Sequence, residues 1–411
     1  MSASLCDSGS LIPVDQAIHH LLQQAPPPPA QQTVPLAQAL GRVLAIDIHS
    51  PRDLPAWDNS AMDGFALRAA DVPAAGGRLS LAGRIAAGQG ATPPLLAGQA
   101  VRIFTGAPLP AGADTVVPQE LCRVDDDQVW FPATRRGDHV RKAGEEVREG
   151  DRLLARGTRL RAQALGLLAA AGMASVEVYR PLRVCLLSSG DELRAPGEAL
   201  QPGQIYNANR HCLSALLQGW GVEVQDYGVM ADDLAASRHA LSLAVSECDL
   251  LLTSGGVSVG EEDHLKHAIA SLGRVDLWRL AIQPGKPLAF GDVAGKPWIG
   301  VPGNPAAALI TVLVVVRPFL LRAQGVRNVI PRPVALPAAF EWLQPNRRRQ
   351  YLRARLVSQE GGQPRVELHP QQGSAMLAPA CWADGLAIVE RDRQVHRHDN
   401  VGFLSFADLM Q

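Results

Sequence analysis

A chain of 411 residues exceeds what one ordinary hydrophobic core organises, and its length predicts two to four domains. Hydrophobic residues at 47% with charged residues at 19% exclude wholesale disorder, and 39 Lys+Arg set against 40 Asp+Glu exclude a global field that would draw in nucleic acid or an anionic membrane. Six cysteines, at 6, 122, 185, 212, 248 and 381, are too scattered for a Cys-x-x-Cys zinc pair and predict a reducing compartment. The N-terminus shows no basic segment followed by an apolar one, and the longest apolar stretch, Ala306 to Val316, is short for a bilayer, so a cytoplasmic location is expected.

Residues 13–24 place Val14, Ile18, Leu21 and Leu22 at helical spacing and stop at the stiff run Pro26–Pro29. Residues 34–49 predict a second short helix followed by an extended segment from Val43 to Ile48. The polar stretch from Asp53 to Ala66 offers Asp58, Asn59 and Ser60 as helix caps and sets Asp63 just before Gly64. From 72 to 140, short β runs broken by Gly and Pro predict an inserted β-rich domain. Residues 141–180 return to mixed character, with an Ala/Leu-rich helix at 161–171. The expected domains are therefore 1–50 with 141–180 as a discontinuous N-terminal α+β domain, 51–140 as the β-rich insert, 181–328 as an α/β domain, and 329–411 as a small C-terminal β domain.

Strand and helix alternate over 183–325: Arg183 to Ser188, helix 209–218, Val222 to Val229, helix 232–246, Leu250 to Thr253, helix 264–271, Leu288 to Phe290, Ile299 to Val301, and helix 304–321. This alternation predicts a doubly wound α/β sheet, whose ligands sit beyond the carboxyl ends of the strands. Those ends carry Ser189-Gly-Asp-Glu192, Ala231-Asp232, Thr253-Ser-Gly-Gly256 and Pro302-Gly-Asn-Pro305. Beyond Ile330-Pro-Arg-Pro333 the strands shorten again, and Arg347-Arg-Arg349 reads as a solvated turn.

The segment Thr253 to His264 organises the α/β part. A buried strand runs into a turn in which Gly255, Gly256 and Gly260 let several N–H groups converge on one concavity, a geometry that suits a phosphate or another oxyanion. Asp263 then opens a helix. A plain strand-to-helix turn, with glycines kept for geometry, accounts for the same residues, and no G-x-x-x-x-G-K-[ST] phosphate loop decides between the two.

Six motifs in order decide instead: Asp58-Asn-Ser-Ala-Met-Asp-Gly64, Thr105-Gly-Ala-Pro108, Ser189-Gly-Asp-Glu-Leu193, Thr253-Ser-Gly-Gly-Val-Ser-Val-Gly260, Pro284-Gly-Lys-Pro287 and Pro302-Gly-Asn-Pro305. With them the chain, from about residue 10 to its end, closely resembles the molybdopterin molybdenumtransferases of the MoeA type, found also as the E domain of gephyrin. The resemblance implies a multidomain α/β fold with a central molybdopterin-binding domain. It also implies Mg²⁺-dependent insertion of molybdate, a substrate, into adenylylated molybdopterin, with release of AMP and molybdenum cofactor. An elongated homodimer is implied, with the cleft between the α/β domain of one subunit and the β-rich domain of the other. Implied partners are molybdopterin adenylyltransferase and downstream cofactor carriers, with no nucleic acid and no membrane.

By the same resemblance, Asp63, Glu192, Asp232 and Asp263 are catalytic, with Glu192, Asp232 and Asp263 as metal ligands. Thr105, Ser254, Gly255, Gly256, Ser258, Gly260, Arg279, Lys286, Pro302, Asn304 and Pro305 are assigned to the substrate. Mg²⁺ takes hard oxygen ligands, usually one or two carboxylates with phosphate and water, so four acids exceed one ion and some must orient water or pterin. Capping explains Asp63 and Asp232 equally, and Asn304 with Pro305 forms an ordinary helix start. Gln283 stands where the family commonly has a basic residue, and Glu146 where an Asp often follows Gly-Glu. Weaker molybdate binding is expected from Gln283, with Arg279 compensating from a neighbouring turn. Two other functions fit parts of the pattern: an adenylyltransferase on the α/β domain, and a dimeric scaffold.

Overall fold

The computed structural model describes residues 11–89, 93–230, 233–256, 264–358 and 362–411. In chain order the first elements are α1 (Val14–Gln23), β1 (Gln31–Pro35), β2 (Ile48–His49), β3 (Asn59–Ser60), β4 (Gly64–Leu67), β5 (Gly77–Ile85), β6 (Gln99–Ile103) and β7 (Thr115–Pro118). They are followed by β8 (Arg123–Asp125), β9 (Gln128–Phe131), β10 (Val140–Arg141), β11 (Arg152–Leu154), α2 (Ala162–Ala170) and β12 (Ser175–Tyr179). Strand β1 pairs antiparallel with β12, and β2 with β11, so the chain leaves this unit after residue 49 and returns to it near residue 152. One apolar cluster, with Val34, Leu44, Ile48, Leu160, Leu168 and Val178, closes it. The segment between builds a six-stranded sheet in the order β7-β4-β6-β5-β9-β8.

Two local expectations fail here. Residues 34–49 hold no α-helix: strand β1 runs to Pro35 and only a single 3₁₀ turn, Leu36–Gln38, follows. Asp58, Asn59 and Ser60 cap no helix either, because Asn59 and Ser60 form β3 against β10 and Asp58 accepts from Lys142 Nζ at 2.7 Å and the Ala143 amide at 2.9 Å. Strand pairing from distant segments outweighs local propensity at both places. Helix α1 departs from the expected grouping of 1–50, since its buried face (Val14, Ala17, Ile18, Leu21) packs into the α/β core.

The α/β part comprises β13 (Arg183–Ser189), β14 (Leu193–Arg194), β15 (Ile205–Tyr206), α3 (Ala208–Gly219), β16 (Glu223–Met230), α4 (Leu234–Glu247), β17 (Leu250–Ser254), α5 (His264–Leu272), β18 (Gly273–Arg279), β19 (Ile282–Gln283), β20 (Pro287–Val293), β21 (Lys296–Val301), α6 (Pro305–Thr311) and α7 (Arg317–Ala323). Its sheet has the order β16-β13-β17-β21-β20-β18, parallel from β16 to β21 and antiparallel at β20 and β18. Side chains of β13 alternate between two cores, with Val184 and Leu186 facing the larger and Cys185 and Leu187 the smaller. Burial on both faces is why these strands read as continuous apolar runs.

Helix α4 starts at Leu234, and its cap is Asp233, which accepts from the Ala236 amide at 2.8 Å. Helices α6 and α7 are joined by a π-helical turn, Val312–Val316, into one helical segment from Pro305 to Ala323. By length and composition this segment is apolar enough to cross a membrane, yet 94% of it is buried inside the protein.

The last elements are β22 (Val334–Pro337), β23 (Arg349–Val357), β24 (Arg365–Leu368), α8 (Ala378–Trp382), β25 (Gly385–Val389), β26 (Asn400–Ser405) and α9 (Phe406–Leu409). The sheet runs β19-β23-β25-β26-β22, with β24 on β23. Strand β19 belongs to the α/β chain segment but pairs parallel with β23, Ile282 opposite Arg349 and Gln283 opposite Gln350. This pairing sets the C-terminal sheet beside the carboxyl ends of the α/β strands.

Candidate active site

The ends of β13, β17 and β21 open into a cleft of about 1140 Å³. Its floor is backbone. Gly255 lies at φ +88° and Gly256 at φ +62°, the left-handed region that glycine alone enters freely. A Cβ on Gly255 would stand 2.4 Å from the Ser189 carbonyl oxygen, so the end of β17 rests directly on the end of β13.

Asn209, at the start of α3, fixes this floor. Its buried Nδ2 donates to Ser254 Oγ and to the Gly303 carbonyl, both at 2.7 Å, joining the loops after β17 and β21. Asn207 caps α3 by accepting from the Arg210 amide at 3.1 Å, while its own Nδ2 is buried without a partner. Asn207 lines both the main cleft and an adjoining cavity of about 680 Å³ that also meets Arg194 and Arg210.

The opposite wall comes from the C-terminal sheet. Arg348, just ahead of β23, lines the cleft and donates to Gln283 Oε1 at 3.2 Å, and Asn346 donates to the same oxygen at 2.6 Å. Arg349, by contrast, faces away and pairs with Asp15 at 2.8 Å and Glu390 at 2.8 Å. The run Arg347–Arg349 is therefore not the solvated turn its charge suggests, since only tertiary docking reveals that neighbouring arginines serve different partners. Behind the cleft residues Gln372 and Gly373 lies Arg353, fully buried, with its Nη2 donating to the Gly373 carbonyl at 3.0 Å and its Nε and Nη1 unpartnered. Burial pushes its guanidinium down to about 10. A third strap joins the walls: Asn304 Nδ2 to Ser374 Oγ at 3.3 Å, and the Ala307 amide to the Ser374 carbonyl at 3.0 Å.

Of the residues singled out from sequence, Glu192, Ser254, Gly255, Gly256, Lys286, Pro302, Asn304 and Pro305 all line this cleft. Asn304 is the residue before helix α6 and Pro305 its first residue, but the Asn304 side chain makes no capping bond and serves the strap instead. Arg279 does not line the cleft: it ends β18, exposed, opposite Pro287. The cation beside Gln283 is Arg348, supplied from 65 residues further along the chain. Asp232, Ser258, Gly260 and Asp263 lie outside the described residues.

Asp63 and Thr105 are held together on the β-rich sheet and do not line the cleft of their own chain. Asp63 Oδ1 accepts from the Thr105 amide and hydroxyl, each at 2.8 Å. The Thr105 amide, then its hydroxyl, and more weakly the charge of Arg102 keep this carboxyl below its ordinary range. Met62, next to it in the chain, is exposed, as is Trp57 earlier in the same segment.

Among the described lining residues Glu192 is the one carboxylate, against the cations Lys286 and Arg348. No group of three or more His, Cys, Asp or Glu able to hold a metal occurs among the described residues. Among the described residues the cleft sets the cations Lys286 and Arg348 and one carboxylate around a glycine-bearing strand end, an arrangement that suits an anion.

Comparison with known proteins gives this geometry a family. Three family models match in succession: "MoeA N-terminal region (domain I and II)" over residues 12–172, "Probable molybdopterin binding domain" over 185–322, and "MoeA C-terminal region (domain IV)" over 335–406. Molybdopterin molybdenumtransferase of Haemophilus influenzae is 37% identical over 386 residues, covering 93% of this chain and 95% of its own. The chain belongs to the molybdopterin molybdenumtransferase family, a family of transferases. Molybdopterin molybdenumtransferase 2 of Mycobacterium tuberculosis is 39% identical, covering 80% of this chain and 84% of its own. The crystal structure of a molybdopterin biosynthesis MoeA protein from Pyrococcus horikoshii superposes with a TM-score of 0.75 at 31% identity, covering 97% of this chain and 99% of that one. A second structure of the molybdopterin biosynthesis MoeA protein from that organism gives 0.82 at 27% identity over 97% of this chain and all of the other. The transferase's cleft described above falls in the molybdopterin-binding and C-terminal matched regions, and the Asp63–Thr105 pair in the N-terminal one.

Proposed function

We propose that this transferase inserts molybdenum during molybdenum cofactor biosynthesis, taking molybdate and adenylylated molybdopterin, using Mg²⁺, and releasing AMP and molybdenum cofactor. The observation that carries this reading is the cleft's charge set: Lys286 and Arg348 with one carboxylate, Glu192, among the described lining residues of a volume of about 1140 Å³. Such a set fits an extended, polyanionic substrate.

Among the described residues Glu192 is the carboxylate that fits Mg²⁺, beside Asp232 and Asp263 as the resemblance implies, and an ion held there would offset the charge of the phosphoanhydride. Everything else falls to the chain's own groups. The Gly256 amide holds an oxyanion, Lys286 and Arg348 balance the negative charge of molybdate or phosphate, and Gln283 with Asn346 aims the Arg348 fork. Asn209 keeps the two anion-binding loops in register. When water cleaves the bond between adenylate and pterin phosphate, these donors meet the charge that accumulates on the leaving phosphate. No protein nucleophile enters this scheme.

Asp63 and Thr105 lie away from their own chain's cleft, which supports the reading that a second copy supplies them in a homodimer. In that arrangement Asp63 orients water or pterin rather than packing in a core. Incubation of the purified protein with adenylylated molybdopterin, Mg²⁺ and molybdate tests the proposal through AMP by chromatography and cofactor by activation of a cofactor-free molybdoenzyme. Both products are expected; neither appearing would refute it.

A further inference from the structure

A second cavity, of about 680 Å³, opens far from the cleft, between the segment linking β11 to α2 and the helix α7. Four arginines line it, Arg159, Arg161, Arg317 and Arg327, and no Asp or Glu is among its described lining residues. Arg317 is only 9% exposed. Its Nη2 donates to the Asp408 carbonyl at 3.0 Å and to the main-chain oxygen of Gln411, the last residue of the sequence, at 3.2 Å, its guanidinium lies 5.9 Å from the centre of the Trp220 ring, and its Nε is buried without a hydrogen-bond partner. Arg159 likewise rests on carbonyls alone, those of Gly41 at 3.2 Å and Gly219 at 3.0 Å.

These guanidiniums feel one another. Burial pushes Arg317 down to about 10, with the charge of Arg159 adding to the effect, and burial followed by the charge of Arg161 lowers Arg159. Asp408 is the acid that acts on Arg317 from nearby, yet it is exposed and offers the arginine only its carbonyl. Four cations gathered with no Asp or Glu side chain among the described lining residues repel one another, and the buried ones lose hydration, a cost that a bound anion offsets. Arginine forks match the oxygens of a phosphate in pairs, which lysines do not. The rest of the wall mixes apolar side chains, among them Leu154, Leu167, Leu321 and Val326, with the polar Thr158, Gln163 and Asn328, and the volume exceeds what a bare oxyanion fills.

We propose that this cavity binds a small organic phosphate, with the phosphoryl group on Arg317, Arg159 and the mouth arginines Arg161 and Arg327, and the organic body on the leucine wall. The site is independent of the cleft and of the reaction proposed for it.

Calorimetric titration of the full-length protein with phenyl phosphate and with inorganic phosphate, at constant ionic strength, tests this. The Lys286→Ala/Arg348→Ala protein serves as background, so that anions held in the cleft do not count. Phenyl phosphate is expected to bind this background at one site and more tightly than inorganic phosphate. Adding Arg161→Ala and Arg327→Ala, both at exposed positions, should weaken it about tenfold. Arg317→Lys, which keeps the charge but loses the fork, should weaken it as well. Loss of all phosphate binding in the Lys286→Ala/Arg348→Ala background would overturn the proposal. So would unchanged affinity after the Arg161 and Arg327 replacements, or a loss of affinity that light scattering traces to a changed oligomeric state.

Discussion

Arg348 donates to Gln283 Oε1 at 3.2 Å, an oxygen that Asn346 already holds at 2.6 Å, so a neutral amide on the α/β side of the cleft aims a cation from the C-terminal sheet. In the proposed reaction Arg348 supplies the charge expected at position 283. Arg348→Ala should therefore raise the molybdate concentration for half-maximal insertion about tenfold, the worth of one charge-assisted bond. Arg279→Ala should leave it unchanged. Gln283→Ala should show a smaller rise than Arg348→Ala, since the cation remains but loses its guide. Molybdate titrations of the three variants at fixed adenylylated molybdopterin check this ordering, and an Arg279 effect equal to that of Arg348 would refute it.

Asn209→Ala should cost about 1–3 kcal/mol of stability, because it leaves buried Ser254 Oγ and the Gly303 carbonyl without their shared donor. Hydrogen exchange should accelerate in the loops after β17 and β21 together. Acceleration confined to one loop would show that Asn209 does not couple them.

Gly255→Ala should be more severe. The residue sits at φ +88° and its new methyl would meet the Ser189 carbonyl at 2.4 Å, so strand ends must separate. The left-handed backbone alone costs about 1–2 kcal/mol. Urea unfolding should show at least that loss, and product formation should fall further than stability predicts. A protein of parental stability would contradict the contact.

Asp249 anchors the entry to β17. It accepts both forks of Arg180 at 2.7 and 2.8 Å and the Arg183 amide at 2.9 Å. Burial is the largest single influence and raises its pKa, but the Arg180 bonds, the Arg183 amide and both charges together outweigh it and hold the carboxyl below 3.8. The stabilisation is therefore fully present above the unfolded value of about 3.9 and is lost as pH falls through the lower folded-state value. Asp249→Asn should cost about 2 kcal/mol at neutral pH, with the gap to the parent narrowing below about pH 4. Urea midpoints measured across that range check it; a constant gap would exclude the carboxylate as its source.

The α/β unit was legible because each face of β13 and β17 meets a core, so Val184 to Leu187 and Leu250 to Leu252 read as apolar runs of strand length between turn signals. The cleft loops were legible because strand ends and glycines mark themselves. Other features depend on partners remote in sequence. Strand β1 forms against β12, Gln31 opposite Tyr179 and Pro35 opposite Ser175, and runs into the start of the stretch 34–49 where local pattern suggests helix. Arg348 was hidden in a charge run whose members face different ways, and Arg353 in a strand where an arginine looks like a surface residue. Asn209 carried a weak signal: Asn207-Ala-Asn209 follows a strand and opens a helix, and only one asparagine is needed as a cap.

The most direct measurement of the central claim follows AMP and molybdenum cofactor together in one reaction with adenylylated molybdopterin, Mg²⁺ and molybdate, comparing the parent protein with Glu192→Gln. The parent should release AMP in step with cofactor formed, and Glu192→Gln, whose substitution lies at an exposed position of the cleft, should keep its fold and lose both. AMP release without cofactor formed, or AMP release unaffected by Glu192→Gln, would contradict the account.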